Sequence, residues 1–411
     1  MTGRTALSFF VLFLSVVSGS AQEKNTYSLP EAIDLALKNH PRVLIAQREI
    51  ESAKGRRLQS FSPEKPELSF AWEGIPSGEP LSRANGRSIH LSQSLEFPYK
   101  LLLRKDVFNQ EIDIARENLS RTKALIAVEV KKSYYQVSYQ TKLVQTLDFT
   151  VELLKQFQEA TLFKYQSGDL LYFEVVRAKV EIAKTQNEVL EAKKELISAK
   201  SEFNLLLGKK GSEEFELADS LTYAPFEKSK EETVEELVHQ NRTLKIAQLS
   251  REKESKSLSL AKTSFIPDLH FSGGYLSESG GKFIPSFEVG LSLPLWWWNP
   301  KGQIQENKAN LRIAHTREQA WERIVRSEIE RWYELVKASE EQVWLFEKTL
   351  LKEVDEELKA GINSYQYNQI DALSLLDIYR TNKISQSEYY RTLYNYLSAL
   401  AELEVAGEED Q

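Results

Sequence analysis

Apolar residues alternate with polar ones in four short segments of this chain and follow a helical period over most of the rest. In Glu67 to Ile75, Leu68, Phe70 and Trp72 share one face and Glu67, Ser69, Ala71 and Glu73 the other. Ser88 to Phe97 sets Ile89, Leu91, Leu95 and Phe97 against His90, Ser92, Ser94 and Glu96. Asp268 to Leu276 sets Leu269, Phe271, Gly273 and Tyr275 against His270, Ser272 and Gly274, and Ser286 to Leu295 sets Phe287, Val289, Leu291, Leu293 and Leu295 against Glu288, Gly290 and Ser292. Each segment predicts a strand with one apolar face.

The helical stretches are long. Neither proline nor glycine occurs from Lys100 to Gln166 or from Gln303 to about Ala360. A helix of about 60 to 65 residues measures roughly 90 to 100 Å, more than the diameter of a compact domain, so these helices must pack along their length. Val130, Val137, Val144 and Val151 recur every seven residues, with Leu147 and Leu154 offset by three, which draws a seam of coiled-coil width. Gly168 ends the first long helix before a return helix to about Leu207, and the stretch from Asn363 to Asn368 ends the second before a return helix to about Ala406. Shorter helices are expected at Leu29 to Asn39, Pro41 to about Ser60, and Thr233 to about Lys262.

The two sets of elements are one pattern written twice. Ile45-Ala46-Gln47 recurs as Ile246-Ala247-Gln248, and Pro66, Leu68 and Phe70 recur as Pro267, Leu269 and Phe271. The Val130 seam recurs as Ile329, Val336, Val343 and Leu350, and Tyr165-Gln166 as Tyr365-Gln366. Spacings that drift by only a few residues over such a span indicate a duplicated unit. The expected organisation is a first repeat at 22–208, a linker of little structure at 209–232, a second repeat at 233–407 and an acidic tail at 408–411.

Arg4, the apolar run from Leu7 to Val17 and Gly19-Ser20-Ala21 predict a cleaved export signal at 1–21. About 11 apolar residues fall short of the roughly 20 that a spanning helix needs. Without that leader the net charge is about −8, which argues against nucleic acid as a partner. Absence of cysteine removes disulfides, thiolate metal sites and an acylated N-terminal anchor.

Each strand is about the length that crosses a bilayer when tilted, with apolar residues outward and polar residues inward. A half-buried soluble hairpin has the same alternation. Lipid is favoured because Trp296-Trp297-Trp298 closes the last strand where an interfacial aromatic belt would sit, together with Trp72, and because no other apolar layer is broad enough to cover those faces. Four strands cannot close a barrel and open edges are not tolerated in hydrocarbon, so several copies must share one pore.

The opening Ser28-Leu29-Pro30-Glu31-Ala32-Ile33 to Asn39-His40-Pro41, the strand endings Ser94-Leu95-Glu96-Phe97-Pro98 and Gly290-Leu291-Ser292-Leu293-Pro294-Leu295, and the turns Tyr165-Gln166-Ser167-Gly168 and Tyr365-Gln366-Tyr367-Asn368 together resemble the TolC-like outer-membrane factor family. The first repeat most resembles ducts of heavy-metal and multidrug efflux. The resemblance implies a mainly α fold with a small β part: a homotrimer in which a twelve-stranded outer-membrane barrel joins a long periplasmic helical barrel. It also implies a periplasmic adaptor docking at the turns around Tyr165, Gly168, Tyr365 and Asn368, and an inner-membrane pump, of the RND type. By motif position Asp377 matches the family's acidic constriction, with Glu174 and Asp371 near the same tip. Asn368 stands where glycine is usual, and asparagine tolerates the left-handed turn required there.

His90, Glu96, His270 and Glu288 are expected to line the lumen. Imidazoles invite a metal pathway, but one Met and five scattered His make no ligand cluster, so polar lining is the preferred reading. Gly281-Lys282 lacks the rest of a phosphate loop, neither G-x-S-x-G nor H-E-x-x-H occurs, and no cofactor or enzymatic activity is expected. The expected function is a passive exit duct of a tripartite efflux system. Its rivals are a type I protein-secretion duct and an exported soluble coiled-coil scaffold or adaptor.

Overall fold

The computed structural model describes residues 25–278 and 281–408. The leader read at 1–21 and residues 409–411 of the tail lie outside them. The chain opens with β1 (Asn25–Tyr27), α1 (Leu29–Asn39) and α2 (Pro41–Gln59), followed by the hairpin β2 (Glu67–Glu73) and β3 (Gly86–Leu95). Next come the 69-residue helix α3 (Pro98–Gln166) and its return, α4 (Tyr172–Leu206). After β4 (Phe215–Leu217) the order repeats as α5 (Lys230–Gln240), α6 (Arg242–Lys262), β5 (Asp268–Glu278), β6 (Ile284–Ser292), α7 (Trp298–Leu345), α8 (Leu351–Gln366) and α9 (Ala372–Leu403). A π-turn, Phe346–Leu350, joins α7 to α8.

Local chemistry starts these helices where the pattern asks. Glu31 accepts from the Ser28 amide and hydroxyl at 3.0 and 2.7 Å, a capping arrangement that turns the chain into α1. His40 Nδ1 accepts from the Arg42 amide at 3.3 Å and separates α1 from α2. The second repeat does the same with Asn241, whose side chain accepts from the Leu244 amide at 2.9 Å. The single helix expected from Thr233 to Lys262 is therefore two, because a side-chain acceptor ends one and caps the next without proline or glycine.

Two further expectations change. The 209–232 linker carries β4, which pairs in parallel with β1, and it buries Phe215 and Leu221 in the cores of the first and second repeats. Glu408, placed in the tail, is buried: its carboxylate accepts from the Arg242 and Thr243 amides at 2.6 and 2.9 Å and so satisfies free donors at the start of α6. The second long helix continues through Gly361 to Gln366.

The seam residues form the core. Val130, Val137 and Tyr134 pack with Ala199 and Phe203 of α4 and with Leu207 just after it, while Ile329, Val336 and Val343 pack with Leu393, Tyr396 and Leu403 of α9. A third cluster joins the two repeats near the turns: Leu154 and Phe157 of α3, Ile182 of α4, Leu358 of α8, and Leu375 and Leu376 of α9. The four strands form one antiparallel sheet, ordered β2-β3-β5-β6, so the two hairpins meet along β3 and β5.

Candidate functional site

Register decides what the sheet can do. Leu68 faces Leu91 and Phe70 faces Ile89; Ile89 in turn faces Tyr275, Leu95 faces Leu269, and Leu269, Phe271 and Gly273 face Leu291, Val289 and Phe287. Directly paired residues lie on the same side, so the apolar faces of all four strands merge into one surface. Nothing among the described residues covers it: Phe70 is 55% exposed, Leu291 61% and Phe287 76%. A one-residue slip at any of the three pairings would have broken this face.

The opposite face is polar. His90 lies between Ser69 and Gly274, Ser92 between Glu67 and Ser272, and Ser272 beside Glu288. Any side chain at Gly274 would collide with the Ile89 carbonyl, which is why this row needs glycine. His270 Nδ1 lies 3.4 Å from the Ser94 hydroxyl. Of the four expected lumen residues, Glu96 differs: it lies past the end of β3 and pairs with Arg104 at 2.7 Å. Lys100 fastens the sheet to the helices, donating to Ile266 O and Asp268 Oδ1, each at 2.7 Å. Trp72 lies on the apolar face opposite Arg87, and Trp296, Trp297 and Trp298 cluster, exposed, where the chain leaves the sheet for α7.

At the far end of the helices the two turns are built alike. The amides of Gly168 and Asp169 donate to Tyr165 O and Lys164 O at 3.0 and 2.9 Å, and those of Asn368 and Gln369 to Tyr365 O and Ser364 O at 3.2 and 2.8 Å. This bonding closes a helix through a left-handed residue, and Gly168 and Asn368 take φ of +84° and +59°. Lys164 crosses between the turns, donating to Tyr365 O at 2.8 Å and Asn368 Oδ1 at 2.6 Å.

The four candidate docking residues differ in access. Tyr165 is exposed and packs on Tyr172 at 5.4 Å, whereas Tyr365 is only 4% exposed and packs against Phe157. Tyr365 is thus a core residue of the tip rather than a docking surface. Burial, and then the nearby Glu174 carboxylate, push its phenol up to about 12. Among the described residues neither the Tyr365 hydroxyl nor Glu174 Oε2 has a hydrogen-bond partner. Asp371 caps α9, accepting from the Ser374 amide at 2.8 Å, and those Ser374 hydrogen bonds hold its carboxyl below the usual carboxylate range. Asp377 is exposed one turn from Arg380.

Sequence reasoning missed the ion pairs behind this acidic position. Arg380 engages Glu181, and Lys383 engages Glu188 at 2.8 Å, which joins α9 to α4 across the repeat boundary. Among the described residues no group of three or more His, Cys, Asp or Glu could hold a metal ion, and no helix is long and apolar enough to cross a membrane.

Residues 32–209, essentially the first repeat, match the family model described as outer membrane efflux protein. The likeness in structure extends over both repeats. The outer membrane protein VceC of Vibrio cholerae superposes with a TM-score of 0.74 at 16% identity, covering 93% of this chain and 97% of that one. CusC, a protein that undergoes transmembrane channel formation, gives 0.75 at 15% identity with 92% and 90% covered. The CmeC outer membrane channel of Campylobacter jejuni gives 0.75 at 15% identity with 92% and 86% covered. No curated protein sequence matches the chain.

Proposed function

We propose that the chain is the outer-membrane exit duct of a tripartite efflux system. Three copies join β6 to the next copy's β2, closing twelve strands around a polar lumen, and their helices continue the conduit through the periplasm. The observation that carries this reading is the continuous apolar face across four strands, left bare with an open edge at β2 and at β6. Lipid covers such a face, and only further copies can satisfy such edges in lipid.

The conduit is passive. An inner-membrane pump, of the RND type, supplies energy and most of the selectivity, and a periplasmic adaptor docks near the exposed Tyr165 and Gly168 turn. Asp377, repeated around the threefold axis, narrows the inner end as a ring of like charges that favours cations. The heavy-metal and multidrug branch is the assignment within the family, with no metal held by the duct itself.

Membrane fractionation and planar-bilayer recording test the reading together. The mature protein should need detergent for release and should conduct as a trimer. Release by carbonate as a water-soluble monomer would establish the soluble scaffold instead.

A further inference from the structure

The long helix of the first repeat has neighbours that its mate lacks. α3 packs on α2 and α4 of its own repeat and also on α6 and α9 of the second, whereas among the described residues α7 packs appreciably only on helices of its own repeat. The extra contacts of α3 are the junction between the repeats.

Three residues of α3 spaced by seven face α9 across that junction. Leu125 packs against the buried cluster of Val128, Ala401 and Val405, Lys132 pairs with Glu402, and Tyr139 stacks on Tyr394 with ring centroids 5.7 Å apart. The step that carries Val130 to Ile329 carries these three to Ile324, Arg331 and Ala338 of α7, and all three are exposed. On the other side, the step that carries Ala399 back to Ala199 carries Tyr394 and Glu402 to Lys194 and Glu202 of α4, which are exposed as well. The pair Lys132–Glu402 therefore has a counterpart of the same polarity, a cation on the long helix and a carboxylate on the return helix. The neighbouring pair Lys131–Glu404 has none, because its mates are Glu330 and the buried Asn204. Within the chain Arg331 pairs with Glu328 one turn back on its own helix, and Glu202 accepts from Ser198 on its own helix at 3.3 Å. Exposed contacts of this kind are weak and readily exchanged.

We infer that α7 of one copy lies against α4 of the next as α3 lies against α9 within the chain, and that Arg331 pairs with Glu202 of that neighbouring copy. A duplicated unit that satisfies its mate on one side leaves the same kind of surface bare at its outer edges, and another copy carries the matching edge. The contact is head-to-tail, and it closes into a ring because each step repeats the turn from one repeat to the next. This register between copies rests on the duct reading and gives it a specific seam, with one ion pair where the junction inside the chain has two.

The chain has no cysteine, so introduced thiols report the seam directly. Arg331→Cys in one chain and Glu202→Cys in another, expressed together, should join through a short bismaleimide into a dimer band on a denaturing gel. Lys132→Cys with Glu402→Cys should link α3 to α9 inside one chain and leave the band at monomer mass. Charge reversal supplies a second readout: Arg331→Glu should lower the trimer fraction in detergent about tenfold, and adding Glu202→Arg should restore it. Trimers that form but do not link at Arg331 and Glu202, or a double reversal no better than the single one, overturn the seam and leave the duct reading standing. A chain that stays monomeric in detergent overturns both.

Discussion

Arg380 grips Glu181 at two points, Nε to Oε1 at 2.9 Å and Nη2 to Oε2 at 2.6 Å. Glu181 is buried, so this pair clamps the second repeat's return helix to the first repeat's beside the apolar cluster of Ile182, Leu375 and Leu376. The hydrogen bond from Arg380 holds the Glu181 carboxyl below the usual carboxylate range. Replacing one partner, as in Arg380→Leu, should cost about 2 kcal/mol, and adding Glu181→Leu should recover part of it, because the lone buried carboxylate is the larger penalty. Thermal melts of the single and double variants measure both effects. The folded carboxyl binds its proton less readily than the unfolded one, so the clamp's contribution is complete above the ordinary glutamate range and drains away as pH falls through the lower folded value. A melt series at acidic pH should show this loss in the native chain and not in the double variant.

Leu291 lies on the bare apolar face and Glu288 on the polar face of the same strand. Leu291→Arg should oppose membrane assembly by about 2 to 4 kcal/mol if it falls near the bilayer midplane, whereas Glu288→Gln should leave assembly intact. The fraction of protein released without detergent separates the two. Equal behaviour would mean the sheet does not face lipid.

At the tip, Asn368 combines a left-handed backbone with an acceptor for Lys164. Asn368→Gly keeps the conformation and loses the acceptor, so its effect should be small. Asn368→Val imposes a branched side chain on a positive φ and should destabilise the turn by about 1 to 2 kcal/mol. Limited proteolysis near residue 368 should show faster cleavage for the valine variant than for the glycine one.

Asp377→Ala should weaken cation preference and alter conductance in planar bilayers while leaving the melting temperature unchanged, since the side chain is exposed and its neighbour Arg380 is held elsewhere. Unaltered ion selectivity would remove Asp377 from the gate.

Much of this architecture was legible in the chain. Strand faces followed from strict alternation, because a period of two survives any sheet context, and the long helices followed from the absence of proline and glycine. The break at Asn241 was not legible: the first repeat marks the matching break with Pro41, the second has no proline there, and its short helix reads as continuous. The pairing of β4 with β1 rests on three residues each, too few to show a period. Asp371 looks like any acidic gate candidate until its bond to the Ser374 amide is seen. The clamp between Arg380 and Glu181, and the burial of Tyr365 beside an exposed Tyr165, depend on contacts between distant segments, which no period along the chain encodes.

Glu408 supplies acceptors for the start of a helix that precedes it by 166 positions. That helix cannot reach its finished state while the ribosome is still short of Glu408. The cap of α1 comes from Ser28 and Glu31, three positions apart, so α6 reaches its finished state later than α1, once Glu408 has been added and has folded back onto it.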